Sequence, residues 1–158
     1  LIGQMLSKAA MEEGNETTYL PSYGPEMRGG TANCTVIVSD KVIACPLIND
    51  CDLLVAMNKP SMEKFEPMVA PGGIMFYNSS IIDVEPKRTD ITLVPVDCVN
   101  EAGALGSEKA ANIVMLGTII ARTHIVKVET VEHMLEKTFS GSKARFLDMN
   151  LKALHLHD

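Results

Sequence analysis

The sequence has few of the residues that would allow it to bind a nucleic acid or cross a membrane. It contains no tryptophan, only 4% aromatic residues, and no run of lysine or arginine within a net charge of −6. Base stacking needs aromatic side chains and a phosphate backbone needs basic ones, so we expect no nucleic-acid partner. The longest apolar stretch, residues 113–121, is much shorter than the roughly 20 residues of a membrane-spanning helix. With no visible secretory signal, the sequence predicts a cytoplasmic protein with no membrane partner.

Motifs for self-contained catalysis or metal binding are also missing. The four cysteines, Cys34, Cys45, Cys51 and Cys98, include no CxxC pair, although zinc and iron–sulfur sites usually use close pairs. We therefore expect reduced, mostly buried thiols. No HExxH, GxSxG or phosphate-loop pattern occurs, so we predict no catalytic residue and no metal site on this chain. The terminal segment His155–Asp158 is interpreted either as a solvated tail or as an adventitious metal ligand.

The composition and the apolar patterns predict one globular α/β domain over residues 1–158. Hydrophobic residues make up 46% of the chain and charged residues 22%, which argues against disorder. Continuous apolar runs such as residues 52–58 are typical of parallel strands covered on both faces. Helices are predicted at residues 1–13, 60–68 (with Glu63 and Glu66 facing water), 107–122, 128–137 and 144–156, and strands at 17–20, 31–39, 42–44, 52–58, 74–77 and 91–96. This order indicates a Rossmann-like, doubly wound, mostly parallel sheet with C-terminal helices.

The beginning of the chain and two glycine-containing segments carry further expectations. No capping residue precedes the first helix, so we expect the preceding strand and its turn to lie outside this sequence. Pro71-Gly72-Gly73 is interpreted as a turn. The segment Gly103–Gly106 is either a helix entry or a group of backbone N–H donors for an anion. Asn112, in a mostly apolar helix, needs hydrogen-bond partners if it is buried, from a loop backbone or from a ligand.

The best candidate for recognition is the segment Pro21–Gly30, which joins two predicted strands. It carries two prolines, three glycines, Glu26 and Arg28. One interpretation is a rigid turn in which Glu26 and Arg28 satisfy each other or the neighbouring backbone. The alternative is that Arg28 donates to a phosphate or a carboxylate, or anchors a subunit contact. The residue chemistry alone favours neither interpretation.

The sequence YGPEMRGGTANC at Tyr23–Cys34 resembles the gamma subunit, or gamma domain, of the 2-oxoacid:ferredoxin oxidoreductases, which act on pyruvate, 2-oxoisovalerate, 2-oxoglutarate or indolepyruvate. The resemblance continues along nearly the whole chain. Its further segments are IGQML at residues 2–6, DLLVAMN at 52–58, PGGIMFYNSS at 71–80, AANIVMLG at 110–117 and NLKAL at 150–154. The family's gamma domain usually begins with a GxGGQG-type strand-to-helix loop, and this chain starts just after the corresponding position.

The resemblance implies a role within a larger enzyme that decarboxylates a 2-oxoacid oxidatively and forms acyl-coenzyme A. It implies thiamine diphosphate, magnesium and iron–sulfur clusters on other subunits, with no cofactor bound firmly by this chain. The implied partners are alpha and beta thiamine-type subunits, a ferredoxin-like subunit, ferredoxin as electron acceptor and coenzyme A as co-substrate. By resemblance, the cofactor-binding or interface residues are Tyr23, Glu26, Arg28, Gly29, Gly30 and Asn33.

Two other classes of function remain open at this point. The chain could be a free-standing Rossmann-like module that binds a nucleotide or regulates another protein. It could instead be a dimerisation domain, since its buried C-terminal helices make a homodimer of the isolated chain credible.

Overall fold

A computed structural model of the chain describes residues 2–22, 33–45 and 49–158, and the fold is given for these residues. Helices and strands alternate along much of the described chain. The α-helices are α1 (Ile2–Glu12), α2 (Lys59–Phe65), α3 (Cys98–Leu105), α4 (Ala111–Thr123), α5 (Val128–Thr138) and α6 (Leu147–Leu154). The strands are β1 (Glu16–Ser22), β2 (Asn33–Ser39), β3 (Cys51–Ala56), β4 (Val69–Asn78) and β5 (Thr92–Val96). Short 3-10 helices occupy Glu66–Met68, Glu108–Ala110 and Gly141–Phe146.

Strands β3, β4 and β5 form a parallel sheet in that order, which confirms the predicted α/β class. Leu54 pairs with Met75, and Met75 pairs with Leu93, so the apolar stretches of the three strands align. Because parallel strands end at the same edge of a sheet, the residues that follow them gather along that edge. Strands β1 and β2 form a separate antiparallel pair.

The larger hydrophobic core lies between the parallel sheet and the helices. Helix α4 is apolar over most of its circumference, and its residues from Ile113 to Ile120 are buried, as the sequence predicts. Phe76 and Val94 of the sheet belong to the same core, together with apolar residues of α1, α5 and α6. A smaller cluster includes Met62 of α2 and Tyr77 of β4. Within the described ranges, no helix combines the length and the apolar character that crossing a membrane requires.

Helices α4 and α6 come close together at Gly117. A Cβ atom built at this position would lie 2.1 Å from the carbonyl oxygen of Leu154. The backbones can approach this closely because residue 117 has no side chain. Ala153 and Leu154 of α6 are both buried at the contact. Gly117 therefore allows the last helix to pack directly on the central helix of the core.

Two local predictions are wrong. Residues 42–44 form no strand, and Val42 is 85% exposed, so its side chain does not pack against the core. Pro71-Gly72-Gly73 lies inside β4 and is not a turn. There the pairing of β3 with β4 shifts register, Gly72 has a φ of 81°, and a Cβ on Gly73 would lie 2.8 Å from the Asp52 carbonyl oxygen. The glycine pair permits a bulge and a close strand contact, and both give the same sequence signal as a turn.

Helix α3 was not predicted, and its position excludes both interpretations of the segment Gly103–Gly106. Gly103 lies within α3, and Gly106 ends the helix with a φ of 126°. The predicted helix start at Ser107 is confirmed, since Ser107 Oγ accepts a hydrogen bond from the Lys109 N–H at 3.2 Å. The helical segment begins as a 3-10 turn and continues into α4.

Candidate functional site

The predicted recognition residues lie in the segment that connects β1 to β2 and at the first residue of β2. These strands pair in antiparallel register as far as Ser22, which lies opposite Asn33. Asn33 begins β2 and is half-buried. The other candidates lie outside the described residues, and their role stays a prediction: Tyr23, Glu26, Arg28, Gly29 and Gly30. The paired strands therefore hold the two ends of the candidate segment next to each other.

Helix α1 supports this pair of strands from one face. A Cβ on Gly3 would lie 2.4 Å from the Cys34 Sγ and 3.2 Å from Val36 Cγ2, so α1 can approach β2 only because residue 3 is glycine. The Thr18 Oγ1 in β1 is buried and has no hydrogen-bond partner among the described residues. The contact with α1 thus helps to position β1 and β2, the two strands that the candidate segment connects.

Polar side chains form a network at the carboxyl edge of the parallel sheet. Asn78 is 2% exposed and donates from Nδ2 to the Met57 carbonyl oxygen at 3.2 Å. Its Oδ1 accepts from the Ser80 N–H at 3.1 Å. Ser80 Oγ in turn donates to Asp97 Oδ1 at 2.6 Å, so the network links the ends of β3, β4 and β5. Ligands of open α/β sheets bind at this kind of edge, which makes it the candidate site within the described residues.

Ser80 also caps helix α3. Asp97 holds the N-cap position, but its side chain accepts no capping hydrogen bond. The Val99 N–H donates instead to Ser80 Oγ at 3.1 Å. Asn100 Nδ2 donates to Asp97 Oδ1 at 2.9 Å, which gives this carboxylate a second donor. An N-cap contributes about 0.5–2 kcal/mol to the stability of a helix, so Ser80 stabilises the start of α3. The same contacts hold the Asp97 carboxylate at the edge of the sheet.

The sequence carries a signal for this network in the positions of its polar residues. Asn58, Asn78 and Asp97 each follow or end a predicted apolar strand, and polar residues in such positions converge at one edge of a parallel sheet. Asn58 has a separate structural role, because its Oδ1 accepts from the Ser61 N–H at 2.9 Å and caps α2.

Glu66 anchors the connection between β4 and β5. The sequence predicts that Glu66 faces water, but it is 6% exposed. Its Oε1 accepts the main-chain N–H groups of Lys87 at 2.6 Å and Arg88 at 2.7 Å. The Arg88 guanidinium donates to the carbonyl oxygens of Glu66 and Val69, and its hydrogen bond to Asp90 lowers the pKa of that carboxyl. The prediction is wrong because a segment distant in sequence covers the carboxylate.

Most of the cysteines are not buried, contrary to the prediction. Cys34 and Cys45 are exposed, Cys51 is half-buried and only Cys98 is buried. Burial raises the pKa of the Cys98 thiol to about 11, so this group stays protonated and unreactive at neutral pH. Within the described part of the chain, no group of three or more metal-ligating side chains comes together.

The terminal segment His155–Asp158 is largely exposed, as the interpretation of a solvated tail expects, but its two histidines also contact acidic side chains. His155 contacts Asp158 and also Glu132 of α5, and His157 contacts Glu101 of α3. The hydrogen bond to Asp158, followed by that to Glu132, raises the pKa of His155 above its ordinary value of 6.5, against the effect of burial. The end of the chain is therefore joined to two helices by charged groups.

Two solved structures of oxidoreductases share this architecture. The gamma subunit of a keto/oxoacid ferredoxin oxidoreductase from Geobacter sulfurreducens is 28% identical, with a TM-score of 0.82 over 98% of this chain and 86% of that one. A 2-oxoglutarate:ferredoxin oxidoreductase from Magnetococcus marinus has the same fold, with a TM-score of 0.85 over 97% of this chain and 27% of that one, at 24% identity. The chain thus has the α/β fold of oxoacid oxidoreductase subunits.

Residues 1–156 match the model of the pyruvate ferredoxin/flavodoxin oxidoreductase family, and the chain belongs to that family. The ketoisovalerate oxidoreductase subunit VorA of Methanothermobacter marburgensis is 36% identical over 154 residues. That alignment covers 97% of this chain and 32% of VorA, so the chain spans about a third of the length of this curated relative.

Proposed function

We propose that the chain acts as the gamma-type subunit, or as the corresponding domain of a longer subunit, in a thiamine-dependent 2-oxoacid:ferredoxin oxidoreductase. The family match over residues 1–156 carries this proposal, supported by the fold shared with a gamma subunit. Such an enzyme oxidises a 2-oxoacid with loss of carbon dioxide, passes electrons to ferredoxin and transfers the acyl group to coenzyme A. We propose alpha and beta thiamine-type subunits and a ferredoxin-like subunit as its partners.

Within this complex, the chain contributes to assembly and to the handling of coenzyme A. Ser22 and Asn33, which pair with each other, lie at the ends of two strands, and α1 contacts these strands. The two ends of the candidate segment are therefore held in place. Arg28 in that segment supplies a guanidinium, whose geometry suits a phosphate or a partner carboxylate. The Magnetococcus marinus enzyme of the same fold has coenzyme A bound, and coenzyme A carries phosphates.

The test replaces Arg28 with alanine in the complete complex. We expect either loss of subunits from the purified complex or a rise of about tenfold in the KM for coenzyme A, the loss expected for one charge-assisted contact. In a complex that still assembles, the 2-oxoacid should reduce an electron acceptor in the absence of coenzyme A with an unchanged KM for the 2-oxoacid. Unchanged assembly together with an unchanged KM for coenzyme A would contradict the proposed role.

Arg145→Ala provides the matched control. Arg145 is exposed on the 3-10 helix Gly141–Phe146, where its guanidinium lies 4.7 Å from the centre of the Phe146 ring. Its replacement removes the same charge from a surface that the proposal does not involve. Both kinetic constants and the subunit composition should stay unchanged in this variant.

A further inference from the structure

The turn that follows helix α6, residues 155–158, is attached to two other helices through its histidines. His155 contacts Glu132 of α5, and His157 contacts Glu101 of α3. These partners lie 23 and 56 residues away along the chain, so each contact joins separate parts of the fold. Neither contact belongs to the network at the carboxyl edge or to the segment between β1 and β2.

The main chain of this turn is held by long hydrogen bonds. The His155 N–H donates to the Leu151 carbonyl oxygen at 3.2 Å, and the Leu156 N–H donates to that of Ala153 at 3.4 Å. The Asp158 N–H donates to the His155 carbonyl oxygen at 3.3 Å. These distances are at or beyond the long end of the usual range for N–H···O bonds. The side-chain contacts of the histidines therefore contribute a large share of what fixes the turn.

The ring of His155 lies between two carboxylates. Its Nδ1 lies 2.5 Å from Asp158 Oδ2, and its Nε2 contacts Glu132 Oε1. A neutral imidazole carries a proton on only one of its two nitrogens, whereas both nitrogens donate in the imidazolium ion. The position of this ring therefore matches the protonated form of His155.

The charges around the second histidine are more evenly balanced. His157 contacts Glu101, which is the charged residue of α3, and it lines the same cleft as Arg122 of α4. On α6 itself, Lys152 and Asp148 pair with each other at 3.0 Å. Since His155 faces two carboxylates, it is the histidine on which the attachment of the turn depends most.

We propose that residues 155–158 form a pH-sensitive latch, which is closed when the two histidines are protonated and open when they are neutral. In the closed latch, each imidazolium donates to the carboxylate that it contacts, and the charge of His155 at the end of α6 also suits the helix dipole. Loss of the protons leaves Asp158, Glu132 and Glu101 facing neutral rings, so the turn detaches from α3 and α5.

The direction of the switch follows from the sign of the pKa change. The hydrogen bond to Asp158, followed by that to Glu132, raises the pKa of His155 above its ordinary value of 6.5. The contribution of this ring is therefore complete below that value and is lost as the pH rises through the raised one. The latch does not depend on the proposed function, since it uses none of the residues assigned to assembly or coenzyme A.

Amide hydrogen exchange of the full-length protein, measured between about pH 5.5 and 8.5, tests the proposal. Each rate is divided by that of an unstructured peptide at the same pH, which gives a protection factor. We expect the protection of the His155 and Leu156 amides to fall by at least about tenfold as the pH rises, the effect expected for one charge-assisted contact. The fall should follow the titration of the His155 ring, measured by NMR. Constant protection, or a fall that does not follow this titration, overturns the proposal.

Three variants separate the latch from a general effect of pH. The double variant His155→Gln/His157→Gln should have low protection at every pH and no such fall. Glu132→Gln should move the titration of the His155 ring to lower pH, because the ring loses one carboxylate. His133→Gln is the matched control, since His133 pairs at 3.5 Å with Glu136 of its own helix and joins no separate elements. It should keep the fall of the wild type. An equal fall in the double variant, or loss of the fall in His133→Gln, overturns the latch.

Discussion

Replacing Gly117 with alanine should destabilise the fold although it adds only one methyl group. Position 117 lies where α4 meets α6, and the new Cβ would lie 2.1 Å from the Leu154 carbonyl oxygen, against an ordinary contact distance of at least 3.4 Å. The atoms that it meets belong to the main chain of α6 and cannot move away by a change of rotamer. Helix α6 would have to retreat by more than about 1 Å, a gap that forfeits a large part of its dispersion contacts with the core.

The size of the effect follows from two opposing terms. Overpacking of a core costs about 1–3 kcal/mol, and a clash with main-chain atoms places Gly117→Ala near the upper end. Alanine favours a helix over glycine by about 1 kcal/mol. We therefore expect the free energy of unfolding to fall by about 2 kcal/mol, which corresponds to a Tm lower by about 4–8 °C for a chain of this size.

Gly103→Ala is the matched control for this prediction. Gly103 lies in α3, and a Cβ there would meet only the Glu108 Cγ, at 3.6 Å. This variant should gain about 0.5–1 kcal/mol because alanine loses less conformational entropy on folding. Urea titration of both variants, followed by circular dichroism, measures the two changes. Equal shifts of the same sign, or a Gly117→Ala variant at least as stable as wild type, would refute the close contact between α4 and α6.

Three further predictions concern single side chains. Glu66→Gln should lower the free energy of unfolding by about 1–2 kcal/mol and speed hydrogen exchange of the two amides that its carboxylate accepts; unchanged exchange there would show that the carboxylate does not hold the connection. Because contact with Asp158 raises the pKa of His155, this group's stabilisation is complete below its ordinary pKa of 6.5 and is lost as the pH rises through the raised value. Unfolding free energies measured between about pH 6 and 8 should therefore decline less in His155→Gln than in wild type, and parallel declines would exclude this group as the cause. Ellman's reagent should modify Cys98 only after denaturation, and rapid modification of Cys98 in the native protein would contradict its burial and raised pKa.

The sequence predicts correctly those buried elements whose own residues form a continuous apolar pattern. The apolar run at residues 52–58 predicts β3, and the mostly apolar circumference of the predicted helix 107–122 predicts the buried helix α4. The glycine pair at residues 72 and 73 is an ambiguous signal. A turn and a strand bulge both need a residue that can adopt a positive φ or pass close to another main chain. Only the register of β3 against β4 distinguishes the two.

Side chains that depend on distant partners could not be predicted. Glu66 is buried because residues 87 and 88 bring their amides to it, and nothing near position 66 indicates this. In the same way, His157 is held by Glu101, which lies on a helix that the sequence did not predict. The chemistry of the Pro21–Gly30 segment first makes Arg28 a candidate, and the resemblance of Tyr23–Cys34 to the family adds to it; its role stays a prediction.

Purification of the tagged full-length protein from its own cells, under native conditions, addresses the role as an oxidoreductase subunit. Mass spectrometry would identify and quantify the polypeptides that co-purify, with the tag alone as the control. We expect thiamine-type alpha and beta subunits and a ferredoxin-like iron–sulfur subunit in a constant ratio to this chain, together with 2-oxoacid-dependent formation of acyl-coenzyme A. A chain that purifies alone, or only with further copies of itself, and that shows no such activity would contradict this role while leaving the fold in place.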